Sequence, residues 1–351
     1  MPFTYTFGED YFDQNETTPL YINPETVACE AKQLEPAAAL IMCVILLVIF
    51  VLAIPGNFLV GWVISTSRQV LTSSDVYLFH LTVADGLMAL TLPFFAVAYV
   101  RGWIFGDFLC KILNLVTEAN FYTSIIFLAC ISIDRFLVIV HAHEGPRNVQ
   151  RRCSRLLCAA VWALGCALAL PALFHVAHPS DDSEEWICTE TFDIGSSVVW
   201  RLASRGLRHI FGFVAPLAIM IVCYTITIAR LLHTRGFQKY KAMRVIISVV
   251  VAFLLCWTPY HVTLVADTLL RTKLVPYDCA MRRSVSLALG LTKDLALTHS
   301  CINPFLYAFV GEKFRKKMTR FVQRKLRKER MSGSRFSRST SLTSEGSATV
   351  F

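Results

Sequence analysis

A single carboxylate, Asp85, lies in the middle of a strongly apolar stretch, LTVADGLMALTLPF, where an unpaired charge is costly. Polar side chains with neutral oxygens could surround it if the apolar stretches of the chain bundle as helices. These are Asn57, Asn120, Ser124, Ser300 and Asn303. A carboxylate with neutral oxygen donors suits a small cation such as sodium. The alternative is a protonated carboxyl in a hydrogen-bonded network.

A second pair of charged residues, Asp134 and Arg135, ends another apolar stretch that begins near Cys110. A helix from Cys110 to Arg135 rises roughly 37 Å at about 1.5 Å per residue. That length crosses the roughly 30 Å hydrocarbon layer of a bilayer. The cysteine is therefore expected at one membrane face and the charged pair at the other. The pair is a candidate functional group, and the alternative is a pair that only fixes topology.

The composition indicates that these residues belong to a membrane protein. Of 351 residues, 55% are apolar and only 17% are charged, against roughly 25% charged in soluble globular chains. Seven mostly apolar spans are long enough to cross a bilayer as helices. They cover residues 37–63, 75–100, 110–141, 153–176, 198–232, 241–270 and 282–310.

The charges between the spans predict the orientation. Basic residues cluster after spans three, five and seven, which places those segments in the cytoplasm. The N-terminal tail and the segment HPSDDSEEWICTETFD are acidic and lie outside. The net charge of +9 thus reflects topology and not nucleic-acid binding. We expect an all-α membrane protein of the plasma membrane, a seven-transmembrane helix bundle at residues 37–310 with an extracellular N-terminus.

The segments outside the bundle have distinct compositions. Residues 1–36 form an acidic tail with Tyr5, Tyr11 and Tyr21, which either attracts a basic ligand or only keeps the tail solvated. Asn15 begins a glycosylation sequon. Residues 311–328 predict a short amphipathic eighth helix on the inner membrane surface. Residues 329–351 are rich in serine and threonine, as expected of a phosphorylated cytoplasmic tail.

Four of the twelve cysteines fall on the outer side in this topology: Cys29, Cys110, Cys188 and Cys279. Two disulfides are therefore plausible, but four cysteines allow three pairings. The sequence contains no HExxH, GxSxG, Walker or CxxC motif. We predict that the protein is not an enzyme.

Prolines recur within the spans. Each removes a backbone hydrogen bond and permits a kink. They are Pro93, Pro171, Pro216, Pro259 and Pro304. Five prolines within the spans favour a bundle whose helices can bend, as a conformational switch requires.

The order of the motifs resembles that of class A, rhodopsin-like G-protein-coupled receptors over nearly all of residues 37–325. The matching motifs are Gly56-Asn57, Leu81-Thr82-Val83-Ala84-Asp85, Trp103-Ile104-Phe105-Gly106 with Cys110, Asp134-Arg135-Phe136, Trp162, Pro216 with Tyr224, Cys256-Trp257-Thr258-Pro259 and Asn303-Pro304-Phe305-Leu306-Tyr307. Within that class the chain is similar to CXC chemokine receptors of the interleukin-8 receptor type. The segments that carry this similarity include Thr91-Leu92-Pro93, Ala266-Asp267-Thr268-Leu269-Leu270-Arg271-Thr272 and His299-Ser300-Cys301.

The resemblance implies a receptor for CXC chemokines, of the interleukin-8-like Glu-Leu-Arg type, that activates inhibitory-class heterotrimeric G proteins and drives leukocyte chemotaxis. It implies the disulfides Cys110–Cys188 and Cys29–Cys279, with receptor kinases and arrestin as further partners. The tail tyrosines, with sulfation adding charge, would grip the basic chemokine body. The side chains expected to bind ligand inside the bundle are Arg201, Arg205, Asp267, Arg271 and Lys293.

The same resemblance implies the residues of the activation switch. These are Asp134, Arg135, Tyr224, Trp257, Pro259, Asn303, Pro304 and Tyr307. It also implies an allosteric sodium ion, with no other cofactor or metal. The expected sodium ligands are Asp85, Asn120, Ser124 and Asn303.

Some positions depart from the family pattern. Phe136 replaces the usual tyrosine, while Lys293 stands where many chemokine receptors carry Glu. Thr117 stands where interleukin-8 receptors carry Lys, so the pocket polarity is partly exchanged. One alternative is a scavenging receptor that binds chemokine without G-protein signalling. Another is an ion-coupled transporter that uses Asp85 and Lys293, although the sequence shows no internal repeat.

Overall fold

The structure is a computed structural model that describes residues 35–67, 70–140, 147–180, 185–191, 197–232, 238–272, 274–275 and 279–310, with Thr319 and Gln323. Several predictions therefore lie outside the described residues. They concern the tail residues Tyr5, Tyr11, Asn15, Tyr21 and Cys29, the eighth helix and the C-terminal tail.

Helices account for most of the described chain. They are α1 (Pro36–Ser65), α2 (Ser73–Arg101), α3 (Gly106–Val140), α4 (Arg147–Ala169), α5 (Ser197–His209), α6 (Ala215–Leu232), α7 (Gln238–Arg271), α8 (Cys279–Leu297) and α9 (His299–Val310). A π-helical turn, Ile210–Val214, joins α5 to α6 in one span. Thr298 separates α8 from α9. Within the described residues, six spans are long and apolar enough to cross a membrane, and the more polar α8 with α9 supplies the seventh. The predicted seven-helix fold is confirmed.

The bundle exposes apolar side chains on its outside, as a lipid-facing surface requires. Val51, Leu255 and Val262 are each more than 60% exposed. Because lipid is as apolar as the helices, the hydrophobic effect does not hold the helices together inside the membrane. Van der Waals packing between their side chains does so instead. Gly165 illustrates the closeness of that packing: a Cβ there would lie 3.1 Å from the carbonyl oxygen of Ala119 and closer still to Thr123. Glycine therefore lets α4 approach α3.

The mid-span prolines differ in their local effects. Pro93, Pro259 and Pro304 lie inside α2, α7 and α9, where each interrupts the backbone hydrogen bonding. Pro171 instead lies in a 3₁₀ turn, Leu170–Phe174, that follows α4. Pro216 is the second residue of α6, directly after the π-helical turn. Both of these prolines mark a change of helix type, and not a kink within a continuous α-helix.

A two-stranded antiparallel hairpin follows the 3₁₀ turn, and the sequence did not predict it. Strand β1 (His175–Pro179) pairs with β2 (Trp186–Glu190), with Ala177 opposite Cys188. The segment is polar and its strands have only five residues each, so no alternating apolar pattern signals them. The hairpin is a small β addition to an otherwise helical fold, and it lies over the outer end of the bundle.

Candidate functional site

Three contacts fix the hairpin over the outer end of α3. The Cys110–Cys188 disulfide joins α3 to β2, with a Cα–Cα distance of 5.8 Å. The Ala177 amide donates to Asp107 Oδ1 at 3.1 Å, and the Trp103 amide donates to the Trp186 carbonyl at 2.6 Å. The predicted Cys110–Cys188 pairing is therefore present. Cys279 is also disulfide-bonded, while its expected partner lies outside the described residues.

Gly102 makes the Trp103 contact possible. Its φ of +68° is in the left-handed region that favours glycine. A Cβ at this position would lie 2.9 Å from the Trp186 carbonyl oxygen. The segment between α2 and α3 therefore turns directly beneath β2, and Trp103 packs there with Cys110 and Ala177.

An outer cavity of about 320 Å³ opens between the hairpin and the helices α2, α3 and α8. Its polar lining includes Lys293 and Asp294, which are adjacent on α8. The Lys293 ammonium lies 5.7 Å from the centre of the Phe95 ring. The Asp294 carboxylate accepts a long hydrogen bond from Tyr99 on Oδ1, at 3.4 Å, and its buried Oδ2 has no partner within the described ranges. The cavity thus offers one cation and one anion side by side.

The rest of that lining is electrically neutral. Burial lowers the pKa of His175 to about 4, so this imidazole is uncharged at neutral pH. Thr117 bonds to Thr91 Oγ1 at 3.0 Å and to the Leu113 carbonyl at 2.7 Å. The Thr117 hydroxyl therefore already has hydrogen-bond partners on its own and the neighbouring helix. Among the residues that line this cavity, Lys293 carries the positive charge.

Three of the predicted ligand-binding residues bind one another. Arg205 on α5 donates to Asp267 Oδ2 on α7 at 2.7 Å, and Arg271 Nε donates to the same oxygen at 2.8 Å. Arg205 also donates to Thr268 Oγ1 at 2.7 Å. The Asp267 side chain is only 1% exposed. The three side chains therefore form a triad that ties α5 to α7, and their contact with ligand stays a prediction.

Arg201 remains half-buried, and it makes no ion pair within the described part of the chain. Glu190, at the end of β2, is a nearby carboxylate that sequence analysis missed. Burial raises the pKa of Glu190, while the guanidinium groups of Arg208 and Arg205 oppose that shift. Arg201 and Glu190 are therefore groups of opposite charge that lie near enough to interact.

A second buried ion pair lies deeper and was also missed. Arg208 on α5 contacts Glu118 Oε1 on α3 at 2.6 Å and donates to the Tyr260 hydroxyl at 2.6 Å. A small cavity of about 30 Å³ lies among these groups, Lys293 and Trp257. Glu118 falls inside a predicted span as Asp85 does, so the signal that identified Asp85 could also have identified Glu118.

Trp257 forms the floor of this inner cavity. Its ring lies 4.7 Å from Phe121 on α3 and 4.8 Å from His299 on α9, measured between ring centres. The Trp257 indole N–H is buried, and no group among the described residues accepts a hydrogen bond from it. It lies two residues before Pro259, where α7 lacks a backbone hydrogen bond. Trp257 thus touches two other spans at a point where its own helix can bend.

Asp85 lies below the floor and is fully buried. Ser124 donates to its Oδ1 and Asn303 donates to its Oδ2, both at 2.8 Å. His299, which sequence analysis did not place here, directs Nε2 at Oδ1 from 3.5 Å while its Nδ1 donates to the Ala296 carbonyl. The predicted cluster of Asp85, Ser124 and Asn303 therefore exists, with an imidazole added.

Two asparagines of the predicted cluster are placed differently. Asn57 donates to the carbonyls of Ala53 and Ser300 at 3.0 and 2.8 Å and so joins α1 to α9. Asn120 donates to the Val116 carbonyl, and its buried Oδ1 has no partner among the residues that the structure describes. An unpaired buried carbonyl oxygen near a carboxylate and a hydroxyl fits a cation that prefers oxygen ligands. The donor set is therefore compatible with sodium.

The charged residues Asp134 and Arg135 at the inner end of α3 have different surroundings. The Asp134 carboxylate accepts a hydrogen bond from Ser74 on α2, and no ion pair between Asp134 and Arg135 occurs among the described residues. Arg135 is exposed. Tyr224 on α6 accepts a 2.6 Å hydrogen bond from Ser132, close to this end of α3. The Asp134 carboxylate therefore contacts α2 and not its neighbour Arg135.

Comparison with known proteins decides the family. The family model "7 transmembrane receptor (rhodopsin family)" matches residues 56–307. The chain is 42% identical over 310 residues to C-X-C chemokine receptor type 2 of Macaca mulatta, covering 88% of this chain and 87% of that protein. It is 45% identical over 269 residues to C-X-C chemokine receptor type 1 of Homo sapiens, covering 76% of each. The chain is a class A receptor of the CXC chemokine receptor family.

The receptor therefore has the polar groups described above arranged in a column through its bundle. The outer cavity leads to the inner cavity, whose floor is Trp257, and Asp85 lies beneath His299. Pro259, Asn303 and Pro304 lie on the two spans that meet at this column. Tyr307 lies on α9, but its side chain is outside those described. As a member of this family, the receptor is a non-enzymatic, multi-pass protein of the plasma membrane.

Proposed function

We propose that the receptor binds CXC chemokines of the interleukin-8-like, Glu-Leu-Arg type and responds by activating inhibitory-class heterotrimeric G proteins. The names of the relatives support the ligand class. The observation that carries the mechanism is the series of contacts from the outer cavity through Lys293, Trp257 and His299 to Asp85. No covalent chemistry is needed, since a ligand that prefers one of two bundle states shifts the population toward that state.

Ligand binding begins outside the bundle in this proposal. The acidic residues and Tyr5, Tyr11 and Tyr21 of the N-terminal tail attract the basic chemokine body, and electrostatic complementarity raises the association rate. The N-terminal residues of the chemokine then enter beneath the hairpin. Lys293 lines the outer cavity and makes no ion pair among the described residues, and Arg201 on α5 likewise makes none there. Both donate hydrogen bonds to the acidic side chain of the ligand.

The Arg205–Asp267–Arg271 triad has a different role from direct ligand capture. Its guanidinium groups are already bonded to Asp267 at 2.7 and 2.8 Å. The triad holds the outer ends of α5 and α7 at a fixed separation and shapes the opening. A ligand carboxylate reaching Arg205 or Arg271 would compete with Asp267, which gives ligand binding a way to loosen α7 from α5.

Transmission runs through Trp257 and the bend at Pro259. A ligand that displaces groups around the inner cavity changes the contacts of Trp257 with Phe121 and His299. A bound sodium ion would be held by Asp85, Ser124 and the free Oδ1 of Asn120, and its positive charge would stabilise this carboxylate. Asn303 already bonds to Asp85, so a movement of α9 changes the same cluster.

The inner face completes the proposed mechanism. Arg135 is exposed and meets the G protein, while Asp134 is held by Ser74. The movement of Tyr224 and Tyr307 opens the inner end of the bundle. Receptor kinases then phosphorylate the serine-rich tail, and arrestin ends the signal, because phosphate groups add charge that basic partners bind.

The proposal is tested in cells that express this chain and are exposed to a panel of labelled chemokines. Chemokine binding, G-protein activation and chemokine uptake are measured on the same cells. Activation by Glu-Leu-Arg chemokines is expected. Binding and uptake without activation would indicate the scavenging alternative. A response confined to other chemokines would keep the receptor assignment and change the ligand.

A further inference from the structure

Two histidines on different spans direct the same ring atom at each other. His209, the last residue of α5, and His261 on α7 have an Nδ1–Nδ1 distance of 2.9 Å. Their ring centres are 5.0 Å apart. A neutral pair of this kind shares one proton between the facing nitrogens, so one nitrogen always presents its lone pair to the other. Neither residue has a role in the ligand and switch mechanism above.

The pair is not a fully satisfied polar network. His261 is only 4% exposed, and its other nitrogen, Nε2, is buried with no hydrogen-bond partner in the described part of the chain. His209 is partly exposed. Buried polar groups without partners are few in folded proteins, and each one calls for an explanation. Imidazole nitrogens converging from two helices are the usual donors for zinc, copper and nickel ions.

We propose that His209 and His261 form a binding site for a divalent transition-metal ion, with Zn²⁺ as the ion. Two imidazole nitrogens bound tetrahedrally at about 2.0–2.1 Å from zinc lie roughly 3.3 Å apart. The facing Nδ1 atoms therefore need to separate by only about 0.4 Å to admit the ion. Zn²⁺ then takes the place of the shared proton, which moves to Nε2 of the ring that carried it, so both imidazoles bind the ion as neutral ligands through Nδ1.

The surrounding structure permits this small movement. The π-helical turn Ile210–Val214 begins directly after His209, and such turns often occur at functional sites. Phe213, within that turn, stacks on the His261 ring at 4.6 Å between centres. The stacking holds the face of the His261 ring and leaves the edge that carries Nδ1 directed at α5.

Nearby positive charge is largely compensated. Arg208, the neighbour of His209, pairs with Glu118, and Arg205 pairs with Asp267. The described residues contain no group of three metal-binding side chains. The chain therefore supplies two ligands here and water completes the coordination, which makes the site weak and reversible. A bound ion would connect α5 to α7 two residues after the bend at Pro259.

The test uses purified full-length receptor without chemokine, so its outcome does not depend on the proposed ligand. Thermal unfolding is measured with and without ZnCl₂. We expect Zn²⁺ to raise the melting temperature, because an ion that binds only the folded state stabilises that state. Mg²⁺ at the same concentration should have no effect, since magnesium prefers oxygen ligands.

Single-residue variants identify which histidines produce the rise in melting temperature with Zn²⁺. His209→Asn and His261→Asn should each abolish the Zn²⁺-dependent shift, and His178→Asn, which changes a histidine of the outer hairpin, should leave it unchanged. His261→Cys should restore the shift, because a thiolate also binds zinc. This rescue separates metal binding from a general loss of stability. The absence of a shift in the native receptor at millimolar Zn²⁺, or an equal shift in His261→Asn, would overturn the proposal.

Discussion

The Asp267 triad gives a prediction that separates a structural role from ligand contact. Asp267→Asn removes the negative charge but keeps the size of the side chain. The single oxygen Oδ2 accepts from both Arg205 and Arg271, at 2.7 and 2.8 Å, and the Asp267 side chain is 1% exposed. After the substitution, two guanidinium groups face each other without an anion between them.

The size of the expected loss of stability follows from how deeply each partner of the triad is buried. Removing one partner of a fully buried ion pair costs about 3–5 kcal/mol. The side chains of Arg205 and Arg271 are 14% and 28% exposed, so water partly compensates them. We therefore expect a loss of about 2–3 kcal/mol in the stability of the ligand-free receptor.

The assay is thermal unfolding of ligand-free receptor in lipid nanodiscs for the native chain, Asp267→Asn, Arg205→Gln and the double variant. The two single changes should lower the melting temperature, and the double change should cost less than their sum, because both remove the same interaction. Lys111→Gln is the matched control. It removes an exposed ion pair with Asp107, and exposed ion pairs contribute little to stability. An unchanged melting temperature for Asp267→Asn together with a large loss of chemokine affinity would refute the structural triad.

Three further predictions concern the pocket, the cation site and the inner face. Lys293→Gln should weaken the response to a Glu-Leu-Arg chemokine about tenfold to a hundredfold, the worth of a hydrogen bond to a charged group, and an unchanged dose–response curve would remove Lys293 from the ligand site. Asp85→Asn should abolish the effect of sodium on agonist affinity, measured by radioligand competition in sodium and in N-methylglucamine chloride; an effect of full size would place the cation elsewhere. Arg135→Ala should eliminate G-protein activation while chemokine binding in the same cells persists, and undiminished activation would contradict the role given to Arg135.

The sequence predicts the seven spans well because membrane helices follow from length and hydropathy alone. It also predicts the neighbours of Asp85 correctly in part. Ser124 and Asn303 bond to this carboxylate, whereas Asn57 joins α1 to α9. The depth of a residue in the membrane can be read from the sequence. The rotation of its helix, which decides what the side chain touches, cannot be read in the same way.

The partners of the ion pairs could not be read from the sequence either, because they also depend on helix rotation. Arg205 and Asp267 are 62 residues apart, and their contact depends on how α5 and α7 rotate toward each other. Glu118 and Arg208 pair across α3 and α5 for the same reason. The outer hairpin was missed for a different reason. Its strands are short, and it is held in place by tertiary contacts, namely the disulfide at Cys188 and the hydrogen bond from Trp103. Such tertiary restraints leave no periodic pattern in the local sequence.

The most direct test of the central claim is nucleotide exchange on a purified inhibitory-class G protein by this receptor in nanodiscs. Exchange is measured with a Glu-Leu-Arg chemokine and with the same chemokine lacking its N-terminal residues, which cannot reach the outer cavity. We predict that the intact chemokine accelerates exchange and that the truncated one binds without doing so. Binding of the intact chemokine with no acceleration of exchange would contradict the account.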